Sequence, residues 1–272
     1  MIQDPLTELP AENTISENYY WGFWATLALT ILIFIVFSIF QSLFLVAYVL
    51  VIEGVSIGDA FQSDSTVGLE NLLKNYALNG DAISISQIPS AIIGIALVFL
   101  FVFIRLNTIR KTTGVNTFGI KEYLGFYKPT LKHVLQFLGL MILAMVLMEA
   151  INIWLDRPTP EFMTRLYSST NNLPLLWIAV GISAPIFEEI LFRGFFFEGL
   201  RNSVFGTLGA ILLTSATWAI IHMQYGWFEI ISIFLIGILL AIAKLKTKSL
   251  YIPIAMHMLM NLTASLGMEL SL

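Results

Sequence analysis

The chain has 272 residues, of which 57% are hydrophobic and only 12% charged, and its net charge is −4. A soluble domain of average composition carries about twice that charged share. No cluster of Lys and Arg is dense enough to hold nucleic acid, and the absence of Cys removes disulfides, a thiolate nucleophile and Cys-ligated metals.

Residues 1–20 carry Asp4, Glu8, Glu12 and Glu17 and no Lys or Arg. A secretory signal places basic residues before its apolar core, so this segment reads as an acidic tail. An apolar run of about 20 residues crosses the hydrocarbon core as a helix. Only helices and closed barrels satisfy their backbone there, and unbroken runs argue against alternating barrel strands. The first such run lies within 21–52, with Trp21 and Trp24 suited to the headgroup level. The stretch 53–87 is polar, but Leu69, Leu72, Leu73 and Tyr76 recur at helical spacing and predict a surface helix. Further spans are expected at 88–104, after which comes a basic loop over 105–132, and at 134–153. A connection with Pro158 and Pro160 covers 154–172, and the last four spans fall at 173–197, 204–223, 227–245 and 250–270. The expectation is an all-α, polytopic transmembrane bundle of about seven spans, with six and eight as its limits. It forms one integral-membrane domain over 21–272 and sits in the cell (inner) membrane.

Basic residues set the orientation, because cytoplasmic loops carry the excess of Lys and Arg. With 105–132 inside, Arg105, Arg110, Lys111, Lys121, Lys128 and Lys132 are cytoplasmic, and alternation adds Arg193, Arg201, Lys244, Lys246 and Lys248. Only Lys74, Arg157 and Arg165 fall outside.

An ionisable group at membrane depth costs roughly 2.5–3.5 kcal/mol on insertion scales and calls for an explanation. Such groups collect in the last four spans: Glu188, Glu189 and Arg193, then His222, then His257 with Asn261. Glu189 and Arg193 are an i,i+4 pair on one helix face and fit a structural ion pair. Glu188 is rotated by about 100° from Glu189 and points elsewhere. Trp218 and His222 repeat the spacing, as do His257 and Asn261. A polar cavity shared by these helices would permit hydrolysis: a carboxylate and an imidazole activate water, while a second imidazole and an amide bind the oxyanion. Glu188 and His222 fit the first role, His257 and Asn261 the second.

These residues carry a family resemblance. Glu188-Glu189-Ile-Leu-Phe-Arg193 resembles the Glu-Glu-x-x-x-Arg motif of the CPBP (CAAX protease and bacteriocin-processing, or Abi) family, which includes the type II CAAX prenyl endopeptidases. Trp218-Ala-Ile-Ile-His222 is similar to its Phe-x-x-x-His motif, with Trp for Phe, and His257-Met-Leu-Met-Asn261 to its His-x-x-x-Asn/Asp motif. The resemblance covers 173–267. It implies an intramembrane endopeptidase acting on a peptide or membrane-associated protein, with or without a lipid modification. It also implies catalytic roles for Glu188, His222, His257 and Asn261, and supporting roles for Glu189, Arg193 and Trp218. The family has also been described as metal-dependent, and zinc held by Glu188, His222 and His257 is the alternative to a cofactor-free glutamate mechanism. The metal-free reading is favoured because Asn261 is a poor zinc ligand.

Competing classes fare worse. An aspartyl intramembrane protease needs two Asp residues at membrane depth, whereas Asp4, Asp59, Asp64, Asp81 and Asp156 all lie in polar segments. Gly181-Ile-Ser183-Ala184 departs from the Gly-x-Ser-Gly of a rhomboid-like enzyme, and His-Glu-x-x-His is absent. The alternative of a different class is a non-catalytic membrane protein, such as a bacteriocin-immunity factor or a partner-binding scaffold. One tension stands: in this topology Glu188 lies towards the inner end of its span and His222 near the outer end of the next. They share a water only if the helices are offset or Pro185 bends the fourth span.

Overall fold

The computed structural model describes residues 19–60, 68–114 and 117–271. Most of the acidic tail expected at 1–20 lies outside them. Every regular element among the described residues is helical, and the chain is a multi-pass integral membrane protein. In chain order the main helices are α1 (Phe23–Glu53), α2 (Leu69–Tyr76), α3 (Gly80–Thr113), α4 (Ile120–Leu124), α5 (Leu131–Trp154) and α6 (Glu161–Ser168). They are followed by α7 (Leu173–Arg201), α8 (Gly206–Ile220), α9 (Trp227–Thr247) and α10 (Tyr251–Ser271). Of these, α1, α3, α5, α7 and α9 are long and apolar enough to cross a membrane. The surface helix expected around Leu69 to Tyr76 is α2.

Two of the expected spans are not among these five: 250–270, which forms the 21-residue α10, and 204–223. The apolar run 204–223 gives only 15 helical residues in α8, roughly 22 Å of rise against a core of about 30 Å. The chain then turns over 221–226 before α9 begins. Another span extends well past its apolar run: α3 continues through Pro89 to Thr113, where Gly114 ends it in the left-handed conformation.

The helices leave two unlike ends. At one end Trp21 receives the Arg105 guanidinium over its ring, Leu250 N–H donates to the Gly125 carbonyl, and the buried Lys244 ammonium lies 3.4 Å from Glu198. That end carries the cations of the 105–132 loop together with Arg201, Lys246 and Lys248, and we call it the basic end. The other end carries Glu53, Asp59, Glu70, Asp156, Glu161 and Glu229, and its Lys74, Arg157 and Arg165 each meet one of these carboxylates at 2.6–2.7 Å.

Small residues let the central helix sink into the bundle. Gly94 of α3 lies against the Phe187 ring and Gly181 of α7 against Leu262, so that a methyl group at either glycine would collide. This close approach is the usual device for packing helices where lipid supplies no hydrophobic drive. At the acidic end Asp81 clasps the connection that leads into α7. Its carboxylate accepts from the Thr170 hydroxyl, the Asn171 and Asn172 backbone N–H groups and the Asn171 amide, all within 3.1 Å. Asp81→Ala strips the acceptor from all of these donors and is expected to cost about 2–3 kcal/mol, which lowers the Tm of the detergent-solubilised protein by roughly 5–10 °C. An unchanged melting curve would show that the clasp does not carry stability.

Candidate active site

Pro185 shapes the site. A proline within a helix cannot donate to the carbonyl one turn back, and its ring crowds that turn. In α7 the turns on either side of the Glu188–Glu189 pair are widened to π geometry, over Trp177–Ser183 and Ile190–Phe196. Such widened turns often mark functional sites. A backbone acceptor on the turn before Pro185 must then find a donor elsewhere. The Asn261 amide supplies one, donating from Nδ2 to the Val180 carbonyl at 2.8 Å. The same nitrogen carries a second N–H.

The two glutamates face different surroundings. Glu189 is fully buried, and one of its oxygens, Oε1, accepts from Arg193 at 2.9 Å and meets His257 Nδ1 at 2.9 Å. Arg193, also fully buried, reaches the Gly237 carbonyl of α9 at 3.3 Å, and its guanidinium carbon lies 4.5 Å from the Trp218 ring centre. Glu188 is half-buried and accepts the Trp218 indole N–H at 2.6 Å.

Trp218 therefore joins the two groups that the sequence pairs. Its side chain holds Glu188, and its backbone carbonyl lies 2.7 Å from His222 Nδ1. A carbonyl only accepts, so Nδ1 is the donor, and in the neutral ring the lone pair then lies on Nε2. The short α8 removes the topological tension. Glu188 lies roughly 20 Å of rise before the basic end of α7, and His222 roughly 24 Å beyond the basic-end start of α8, which places both at similar depth.

Glu188, His222 and Asn261 line one cavity of about 450 Å³ near the acidic end. His257 does not line it. It sits beneath, 2% exposed, edge-on to the Trp218 ring at 5.1 Å between centres. Among the described residues no three His, Asp or Glu side chains gather as a metal-binding group. His257 Nδ1 is turned to Glu189. At the rim, burial pushes the Tyr225 phenol above its ordinary range, so it stays protonated at neutral pH. Its hydroxyl donates to Met163 Sδ at 3.2 Å.

Sequence reasoning missed the opposite wall. Ser38 and Gln41 of α1 and Ser86 and Gln87 of α3 line the cavity, and Gln41 Nε2 donates to Gln87 Oε1 at 3.0 Å. For Gln41 the available signal was an uncharged amide inside an apolar run, which weighing ionisable groups alone passes over, whereas Ser86 and Gln87 were counted with the polar stretch 53–87 although α3 begins at Gly80.

Trp218→Phe isolates the indole N–H, because the aromatic packing on His257 and Arg193 is kept. If Glu188 acts in hydrolysis, losing a hydrogen bond to its carboxylate is expected to lower kcat roughly tenfold without unfolding the protein. Unaltered turnover of a quenched-fluorescence peptide by a folded Trp218→Phe protein would remove the indole from the mechanism.

Residues 170–263 match the family model of the type II CAAX prenyl endopeptidases, Rce1-like. An uncharacterized 24.3 kDa protein of Escherichia coli is 33% identical over 106 residues, which are 37% of this chain and 48% of that protein. The membrane-embedded CAAX protease MroQ of Staphylococcus aureus (strain USA300) is 29% identical over 100 residues, 36% of this chain and 40% of MroQ. The chain thus spans less than half the length of these curated relatives. No solved structure matches it with significance.

Proposed function

We propose, from the match of residues 170–263 to the family model of the Rce1-like type II CAAX prenyl endopeptidases, that the chain is an intramembrane endopeptidase that activates water with Glu188 and His222. The observation that carries the reading is the Trp218 bridge. One residue holds the Glu188 carboxylate with its indole N–H and fixes the His222 tautomer with its carbonyl, at the wall of a cavity roomy enough for a peptide segment.

In this mechanism a water between Glu188 and the free Nε2 of His222 attacks the scissile carbonyl, and Glu188 takes its proton. The carbonyl oxygen becomes an oxyanion, and the second N–H of Asn261 donates to it. Collapse of the tetrahedral intermediate breaks the C–N bond. The proton held by the Glu188–His222 pair passes to the departing nitrogen, so the products are a carboxylic acid and an amine. His257 acts as a positioning residue: it steadies Glu189 and packs against Trp218. Glu189 and Arg193 hold α7 to α9 and α10, and no step passes through a metal.

Replacing Glu188 by Gln or His222 by Ala is expected to lower hydrolysis of an internally quenched peptide library by about 10²–10⁴-fold, with the folded protein retained. Full activity in either folded variant would sink the mechanism. A cellular phenotype that survives Glu188→Gln would favour a non-catalytic immunity or scaffold role. A second expectation concerns metal. Dialysis against a chelator such as EDTA leaves turnover within about twofold of the untreated protein, and a loss restored by added zinc would instead call for a ligand set that the present geometry does not assemble.

A further inference from the structure

We infer that the cavity is loaded from the extracytoplasmic side, so that its substrate is a peptide segment presented at that face of the membrane. The inference rests on reading the cavity as the place of hydrolysis, and it adds the side from which that place is reached.

Three observations carry it. The first is where the cavity opens. Its exposed lining residues are Ser42, Ala77 and Gln224, of which Ala77 and Gln224 stand in the connections of the acidic end. Phe162 and Tyr225, from the same end, complete that rim. The second is where it is closed. Beneath Glu188 lie Glu189, Arg193, Trp218 and His257, each no more than 2% exposed. Towards the basic end α7 continues as a buried aromatic run through Phe192, Phe195, Phe196 and Phe197. No residue from the 105–132 loop or from the α9–α10 junction lines the cavity.

The third is charge. The short connections at the cavity's end carry three described cations, Lys74, Arg157 and Arg165, all matched by carboxylates. The larger number of Lys and Arg lies at the opposite end, in the 105–132 loop and at Arg201, Lys244, Lys246 and Lys248. Lys and Arg in short loops remain in the cytoplasm, so the basic end is cytoplasmic and the cavity faces away from it. The cavity lining itself contains neither Lys nor Arg. Its Ser and Gln side chains offer neutral donors and acceptors, the same chemistry as a peptide backbone. The cavity also shares Phe34, Ser38 and Ser42 with a shallow groove on the lipid-facing side of α1, so a segment lying along the outer leaflet has a route in.

The chain has no Cys, so single thiols report accessibility without background. Gln224→Cys and Ala77→Cys place one at the rim, and Lys246→Cys places one at the basic end. In intact spheroplasts expressing the full chain, a membrane-impermeant sulfonated maleimide is expected to label each rim thiol at least about tenfold faster than Lys246→Cys, which labels only after permeabilisation. The reverse order overturns the inference, as does protection of both rim thiols until lysis. The two rim variants guard against one failing to fold. Labelling needs no turnover, so a protein that labels as expected yet cleaves nothing would remove the hydrolysis and leave the access side standing.

Discussion

The fold turns on one buried oxygen. Glu189 Oε1 meets both Arg193 and His257, and Arg193 reaches on to a carbonyl of α9, so a single carboxylate ties α7, α9 and α10 together. A charge with no exposure inside a membrane protein is tolerable only when it is paired and hydrogen-bonded. This requirement fixes the rotation of α7, because Arg193 must stay one turn from Glu189 although the turn between them is widened. The rotation in turn decides where the adjacent Glu188 points. With Glu189 committed to the bundle interior, Glu188 emerges on the cavity side and meets Trp218. The doubled glutamate is thus two devices in consecutive positions, one an anchor and the other the group aimed by it.

Trp218 extends the same logic to α8. It sits between the anchor and the cavity, with Arg193 over its ring, His257 against its edge and Glu188 on its indole nitrogen. The resemblance places Phe at this position. Phe would keep the ring contacts but has no N–H to give, so the tryptophan adds a hydrogen bond that the motif as such does not require. A charge-assisted bond of this kind is among the stronger ones and has defined geometry, which suits a group that must present one face of a carboxylate to a small cavity.

How much of this was legible in the sequence depended on the kind of signal. Long apolar runs announced the membrane helices, and Leu69 to Tyr76 announced a surface helix, because burial periodicity is written locally. Spacing of four residues brought out Glu189 with Arg193, Trp218 with His222 and His257 with Asn261. The stop of α8 was not legible. Ile220, Ile221 and Met223 continue the apolar run, and only the turn at 221–226 reveals that the helix ends at the depth of Glu188. That omission produced the apparent conflict of depth between Glu188 and His222. The placing of His257 beneath the cavity was hidden too, because it follows from its contact with Glu189, a pairing between residues 68 positions apart that local spacing does not reveal. Gln41 escaped notice because a neutral amide costs less at membrane depth than a charge and raises no alarm by composition, and Gln87 because it closes a polar stretch whose last residues already belong to α3.

Hydrolysis within a bilayer has a requirement that soluble enzymes meet without effort, namely a supply of water. A cavity in apolar surroundings stays dry unless it offers polar partners, and a resident water needs two to four of them. The short α8 leaves room beside α1, and the side chains facing that room are Ser38, Gln41, Ser86, Gln87 and Gln224 rather than Leu or Ile. These groups are neutral, so they hold water without the desolvation cost of a charge and without neutralising Glu188. The ionic anchor, by contrast, is shut away below, where water would weaken it by screening. The polar cavity and the charged region are separated by Trp218, apolar on the faces that meet Arg193 and His257 and polar at the nitrogen that meets Glu188. In the proposed mechanism this separation lets one carboxylate lie in contact with water at the same depth as another that must never meet it.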